Sequence, residues 1–136
     1  MRRNPALKGN DKAFRFLKNH RRLVDVLTDH KLASLGDAYI NFVYSLALSN
    51  KRRQPSGVRV KGEVLAEALR KAGLREYMPS RITRHMLSDA VEALVVYAWL
   101  HRYVTLEETV VILEKSEVLA NGLCQLLLII KGRIKF

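Results

Sequence analysis

Three carboxylates of this chain stand where chemistry is the economical explanation for them. Asp37 lies in "LASLGDAYINFVYSLA", residues 32–47, as the single charge in a run that reads as a buried helix. An ionised carboxylate there costs on the order of several kcal/mol unless it is paired or holds a metal. Asp89 and Glu92 stand in "SDAVEALV", three residues apart, a spacing that puts both on one helix face. Their neighbours Ala90, Val91, Ala93, Leu94, Val95 and Val96 are apolar, so two like charges share a half-buried surface and repel. A hard divalent cation such as Mg²⁺ would relieve that repulsion, because it takes oxygen ligands and keeps several waters. Asp37 is the candidate third ligand, from another helix. Such an ion acidifies a bound water and clamps a phosphate oxygen, which are the needs of phosphodiester hydrolysis. On spacing alone two other readings stand beside this one: Asp37 bonded to backbone or to an arginine, and Asp89 with Glu92 on a solvated face.

The elements that must position these residues read as helices. From Asp11 onward, Phe14, Leu17, Leu23, Val24 and Leu27 recur at roughly helical spacing. Thr28 and Asp29 offer an N-cap for a helix from about His30 to Asn50. That helix is apolar nearly all round and is expected at the centre of the fold or in a subunit interface. Pro55 and Gly57 break the pattern after it. An amphipathic helix follows in "KGEVLAEALRKAGL", with Val64, Leu65, Ala68 and Leu69 inward and Gly73 as C-cap. "REYMPSR" reads as a loop. A long helix covers about Ile82 to Arg102. Thr105 and Glu108 form a capping box for the next, and a last helix runs from about Glu117 to Lys131. The one strand candidate is "VRVKG". Gly36, beside Asp37, is expected to let two helices approach closely.

The 136 residues suffice for one domain, expected over 11–136, after a flexible basic arm at 1–10. Hydrophobic residues make up 49%, so the chain is globular, and no apolar run is long enough to span a bilayer. The single cysteine, Cys124, rules out an internal disulfide and, with no leader-like opening, points to a reducing, cytoplasmic setting. The net charge is +11, with an excess of +8 in residues 1–53. Such a balance favours a polyanion, whose phosphates it neutralises with release of counterions.

Three segments carry a family resemblance. "LASLGDAYINFVYSLA" resembles the signature helix of ribonuclease III, built on L-x-x-L-G-D-A. "LSDAVEALVVYAWL" is similar to that family's D-x-x-E-A-L motif, and "VKGEVLAEALRKAGL" to its middle helix. They come in the family's order and cover roughly residues 28–115. The resemblance implies an all-α endonuclease domain of about six to seven helices, working as a homodimer, with double-stranded or structured RNA in a groove. It implies that Asp37, Asp89 and Glu92 are catalytic and bind Mg²⁺, with Mn²⁺ as a possible substitute, and that Glu92 is the most critical. Cleavage would leave 5′-phosphate and 3′-hydroxyl ends.

The chain departs from the family's pattern at two positions of the signature. Ala33 stands where the family has a glutamate, and His30 where it commonly has another acid. The small Mini-III branch often reads L-A-Y-L-G-D-A and lacks the double-stranded-RNA-binding domain that usually follows, and the same architecture is expected here. A catalytic domain alone must supply its own phosphate contacts, for which Arg2, Arg3, Lys51, Arg52 and Arg53 are the candidates. Glu63 or Glu67 are candidates to replace the missing acid, and His85, four residues before Asp89, to orient it or meet RNA. The rival reading is a catalytically inactive scaffold of the same fold that binds RNA or a ribosome. A helical DNA-binding protein is a third, but no polar recognition helix stands out.

Overall fold

In this computed structural model, residues 13–136 are described. The arm expected at 1–10, with Arg2 and Arg3, lies outside them. The described residues form six α-helices: α1 (Leu23–Leu27), α2 (His30–Arg52), α3 (Gly62–Lys71), α4 (Arg84–Leu100), α5 (Leu106–Lys115) and α6 (Leu119–Arg133). A 3₁₀ turn, Leu74–Tyr77, follows α3, where the sequence suggested only a loop. No strand occurs among the described residues. The class is all-α, as expected.

The axis of the fold is α4. Its residues from Ala90 to Ala98 are buried without interruption. Around it pack α2 along most of its length, α3, α1 and α6, while α5 closes the outer side of α2. The apolar pattern nearly all round α2 predicts that central place, or a subunit interface, for it. The structure buries one face of it: Ala33, Gly36, Tyr39, Ile40, Val43 and Ala47. Leu35 and Phe42 stay exposed on another face.

Local chemistry explains the boundaries. Asp29 caps α2 by accepting from the Leu32 N–H at 2.9 Å. At its far end Arg53 turns left-handed, with φ 57°, ahead of Pro55. Thr83 caps α4 through the Met86 N–H. The Thr105–Glu108 capping box is present with both bonds at 3.0 Å. Gly73, with φ 73°, takes the left-handed position that ends α3.

Two expectations fail, both where tertiary contacts outweigh local pattern. The helical spacing from Phe14 onward yields a helix only over Leu23–Leu27. Before it the chain is pinned to α4 instead: the His20 N–H donates to the Tyr97 hydroxyl at 3.3 Å, and Phe14 lies 5.9 Å from the Trp99 ring. "VRVKG" forms no strand. Its backbone runs along α2 and bonds to side chains there rather than to another strand.

Candidate active site

The geometry of the site is set by the crossing of α2 over α4. Gly36 lies directly on the α4 backbone, where a Cβ would fall inside the Glu92 carbonyl. Only glycine allows that approach, and it brings Asp37, the next residue, beside Glu92. The expectation for Gly36 is met, and its consequence is to join the two acidic motifs.

Asp37, Asp89 and Glu92 line one cleft of about 440 Å³. Their environments differ from the sequence reading. Asp37, expected to be buried, has a side chain 46% exposed at the cleft mouth. Its Oδ1 accepts from Asn41 Nδ2 at 3.2 Å, and Arg59 Nη2 lies 3.5 Å from its Oδ2. The arginine partner allowed for it on spacing alone is therefore there. The buried carboxyl is Glu92, 8% exposed. Burial first, then hydrogen bonding and charge from Asp37 and the charge of Asp89, push its pKa up to about 8, against a small opposing pull from Arg59. Near neutral pH the inner carboxyl thus keeps its proton.

Asp89 is flanked by two imidazoles. His85 Nε2, one turn earlier on α4, lies 3.6 Å from Asp89 Oδ2, and His30 Nδ1, from the start of α2, lies 3.5 Å from the same oxygen. His85 is placed to orient Asp89, as its spacing suggested. His30 fills the position where the family commonly has an acid and faces the same cleft. Ala33, buried, forms part of the wall. Neither Glu63 nor Glu67 lines the cleft, and Glu67 turns instead to Lys71 at 3.4 Å. No acid replaces the missing glutamate among the described residues.

Lys51, Arg52 and Arg53 sit at the opposite end of α2, roughly 20 Å along its axis from Asp37 at 1.5 Å per residue. Lys51 Nζ donates to the Ser116 carbonyl at 2.8 Å. Sequence reasoning noted His30 only as a departure from the family's pattern, and did not place it, Ser34, Asn41 or Arg59 at the site. The first three were legible, since residues 30, 34, 37 and 41 recur on one face of an α-helix.

The donor chemistry fits a hard divalent cation. Three carboxyl groups line one cleft, and burial beside the other two raises the pKa of the innermost, an all-oxygen donor set suited to such an ion. As they stand, no three His, Cys, Asp or Glu side chains among the described residues are gathered closely enough to hold a metal ion by themselves. Water or a substrate oxygen would have to complete the ligand set.

An all-α domain with a cleft of opposed carboxylates at a glycine-tight helix crossing is the class these observations define. The chain belongs to the ribonuclease III family, whose model it matches over residues 30–131, from the first residue of α2 into the last turn of α6. Among curated proteins none matches the chain. No helix of the described residues is long and apolar enough to cross a membrane.

Proposed function

We propose that the protein is a metal-dependent endoribonuclease that cleaves double-stranded or structured RNA, leaving 5′-phosphate and 3′-hydroxyl ends. The observation that carries this reading is that Asp37, Asp89 and Glu92 line one cleft, with Glu92 buried beside the other two acids. A protein that only binds RNA has no use for mutually repelling acids in an apolar helix crossing. In this reading the three residues hold Mg²⁺, or Mn²⁺ in its place, which supplies an acidified water and a clamp on the phosphate. Glu92 would hold the ion from the inner wall of the cleft, and its carboxylate would orient a water there. Asp89, held between His30 and His85, keeps its carboxylate turned into the cleft. The net charge of +11 attracts the polyanion. Two copies act together, joined where Leu35 and Phe42 leave α2 uncovered.

Ala33 favours a second reading, an inactive RNA-binding scaffold, because a wall residue of the cleft has no carboxylate to give. A labelled RNA duplex incubated with Mg²⁺ or Mn²⁺, beside the Glu92→Gln variant, separates the two. Cleavage that requires metal and is lost in the variant is the expected result. Salt-sensitive binding without cleavage, unchanged by the substitution, would leave the scaffold.

A further inference from the structure

The segment after α2, residues 54–61, has no regular secondary structure, yet its backbone is fixed residue by residue. The Ser56 N–H donates to Ser49 Oγ at 2.8 Å. The Val58 N–H donates to Ser45 Oγ at 2.9 Å, and that hydroxyl lies 3.1 Å from the Val58 carbonyl, to which it donates. The Val60 N–H donates to Asn41 Oδ1 at 2.8 Å. Positions 41, 45 and 49 are one turn apart on a single face of α2, and positions 56, 58 and 60 alternate along an extended chain. The polar stripe of an otherwise apolar helix thus satisfies the strap's backbone groups as a neighbouring strand would. Asp37 is the next step of the same stripe, and Asn41 Nδ2 bonds it.

The strap delivers Arg59 to the cleft. Arg59 is the one Lys or Arg among the described residues that lines it. Its neighbours Val58 and Val60 are both clamped, so its Cα is fixed, while its side chain is 79% exposed and meets Asp37 only at 3.5 Å. An exposed pair of that length contributes little and exchanges readily. Two other cations are committed elsewhere: Lys51 to the Ser116 carbonyl, and Arg75 to the carbonyls of Pro79 and Ser80. A guanidinium fork matches two phosphate oxygens at once. A cation that takes over Asp37 also removes the one anion that holds Arg59.

Building on the endonuclease reading, we propose that Arg59 is the phosphate anchor of the cleft, passing from Asp37 to a backbone phosphate of the bound RNA. The ligand is a phosphodiester group, recognised by charge and shape and not by base.

Equilibrium binding of a labelled RNA duplex over a range of salt tests this, using Glu92→Gln as the parent and adding Arg59→Gln or Arg59→Lys. Cleavage by the otherwise unaltered protein is measured alongside. Arg59→Gln is expected to weaken binding about tenfold and to lower the salt slope by about one. Arg59→Lys is expected to keep the slope and recover part of the affinity. An affinity and slope equal to the parent's would overturn the anchor while leaving the nuclease untouched. Absence of cleavage by the unaltered protein, with the Arg59 effect on binding intact, would sink the nuclease reading and keep the anchor. A parent that does not bind the duplex overturns the anchor, and cleavage by the unaltered protein then decides the nuclease reading by itself.

Discussion

Glu92 bears most of the electrostatic cost of the cleft, and pH should reveal it. Its carboxyl is raised to about 8 in the folded protein, from an ordinary 4.5. Above pH 4.5 the unfolded chain has released a proton that the folded chain still holds. Raising the pH therefore favours the unfolded state until the folded group also titrates near 8. Without divalent cations, stability should fall across this window by a few kcal/mol, at about 1.4 kcal/mol per pKa unit. Glu92→Gln removes the titration, so urea midpoints at pH 5 and pH 8 should lie closer together in the variant, and the variant should be the more stable at pH 8. Equal pH dependence in both proteins would contradict the assignment. The trio itself was legible in the sequence, because a D-x-x-E spacing and the L-G-D segment identify faces and a family pattern. Depth was not legible. Helical periodicity gives direction, and whether Asp37 or Glu92 lies deeper depends on how α2 crosses α4. Arg59 was illegible for another reason: it reaches the cleft through a strap whose partners lie seven to nineteen residues away.

The α2–α4 crossing is the element on which the site depends, and two glycines separate its packing from general helix effects. At Gly36 a methyl group would collide with the Glu92 carbonyl. Gly36→Ala should destabilise by about 1–3 kcal/mol, as overpacking does, and reduce cleavage further by moving Asp37 from Glu92. At Gly132, near the end of α6, an added Cβ meets nothing within 4 Å. Gly132→Ala should stabilise by up to about 1 kcal/mol through helix propensity and leave cleavage unchanged. Denaturant melts of the two variants check the pair, and equal shifts would show that the crossing is looser than described. The capping box gives an independent reading on α5. Backbone bonding to Thr105 and the Arg133 partner lower the Glu108 pKa. Its contribution is therefore present above the ordinary carboxyl pKa and fades as pH falls through the lowered value. Thr105→Ala should cost about 1 kcal/mol at neutral pH. Helices α2 to α6 were readable within a few residues because caps and breakers such as Asp29, Pro55, Gly73 and Thr105 act locally. The stretch before α1 was not, because Tyr97, His101 and Trp99 hold it from seventy residues or more away.

At the scale of the whole molecule, the large apolar side chains left open are spread over several elements, and two of them lie on α2. Leu35 and Phe42 are seven residues apart, hence on one face, and are 41% and 55% exposed. Leu35 also lines an apolar cavity of about 310 Å³ with Phe16, Leu17, Leu32 and Tyr97. Phe16 is 56% exposed, so the face continues beyond the helix. A strongly basic chain repels its own copies. Association along α2 therefore has to come from apolar burial, with salt screening the charge. The proposed dimer should tighten as ionic strength rises, whereas duplex binding should weaken under the same change. Sedimentation of the unaltered protein should give twice the chain's mass at moderate salt. Phe42→Glu should give a monomer with the same helical circular dichroism, since Phe42 lies outside the core. The cleft of each copy is built from its own α2 and α4, so the monomer should keep its metal affinity while losing affinity for long duplexes that reach both clefts. A Phe42→Glu protein that stays dimeric would move the interface off α2, and with it the proposed alignment of the two sites along one RNA.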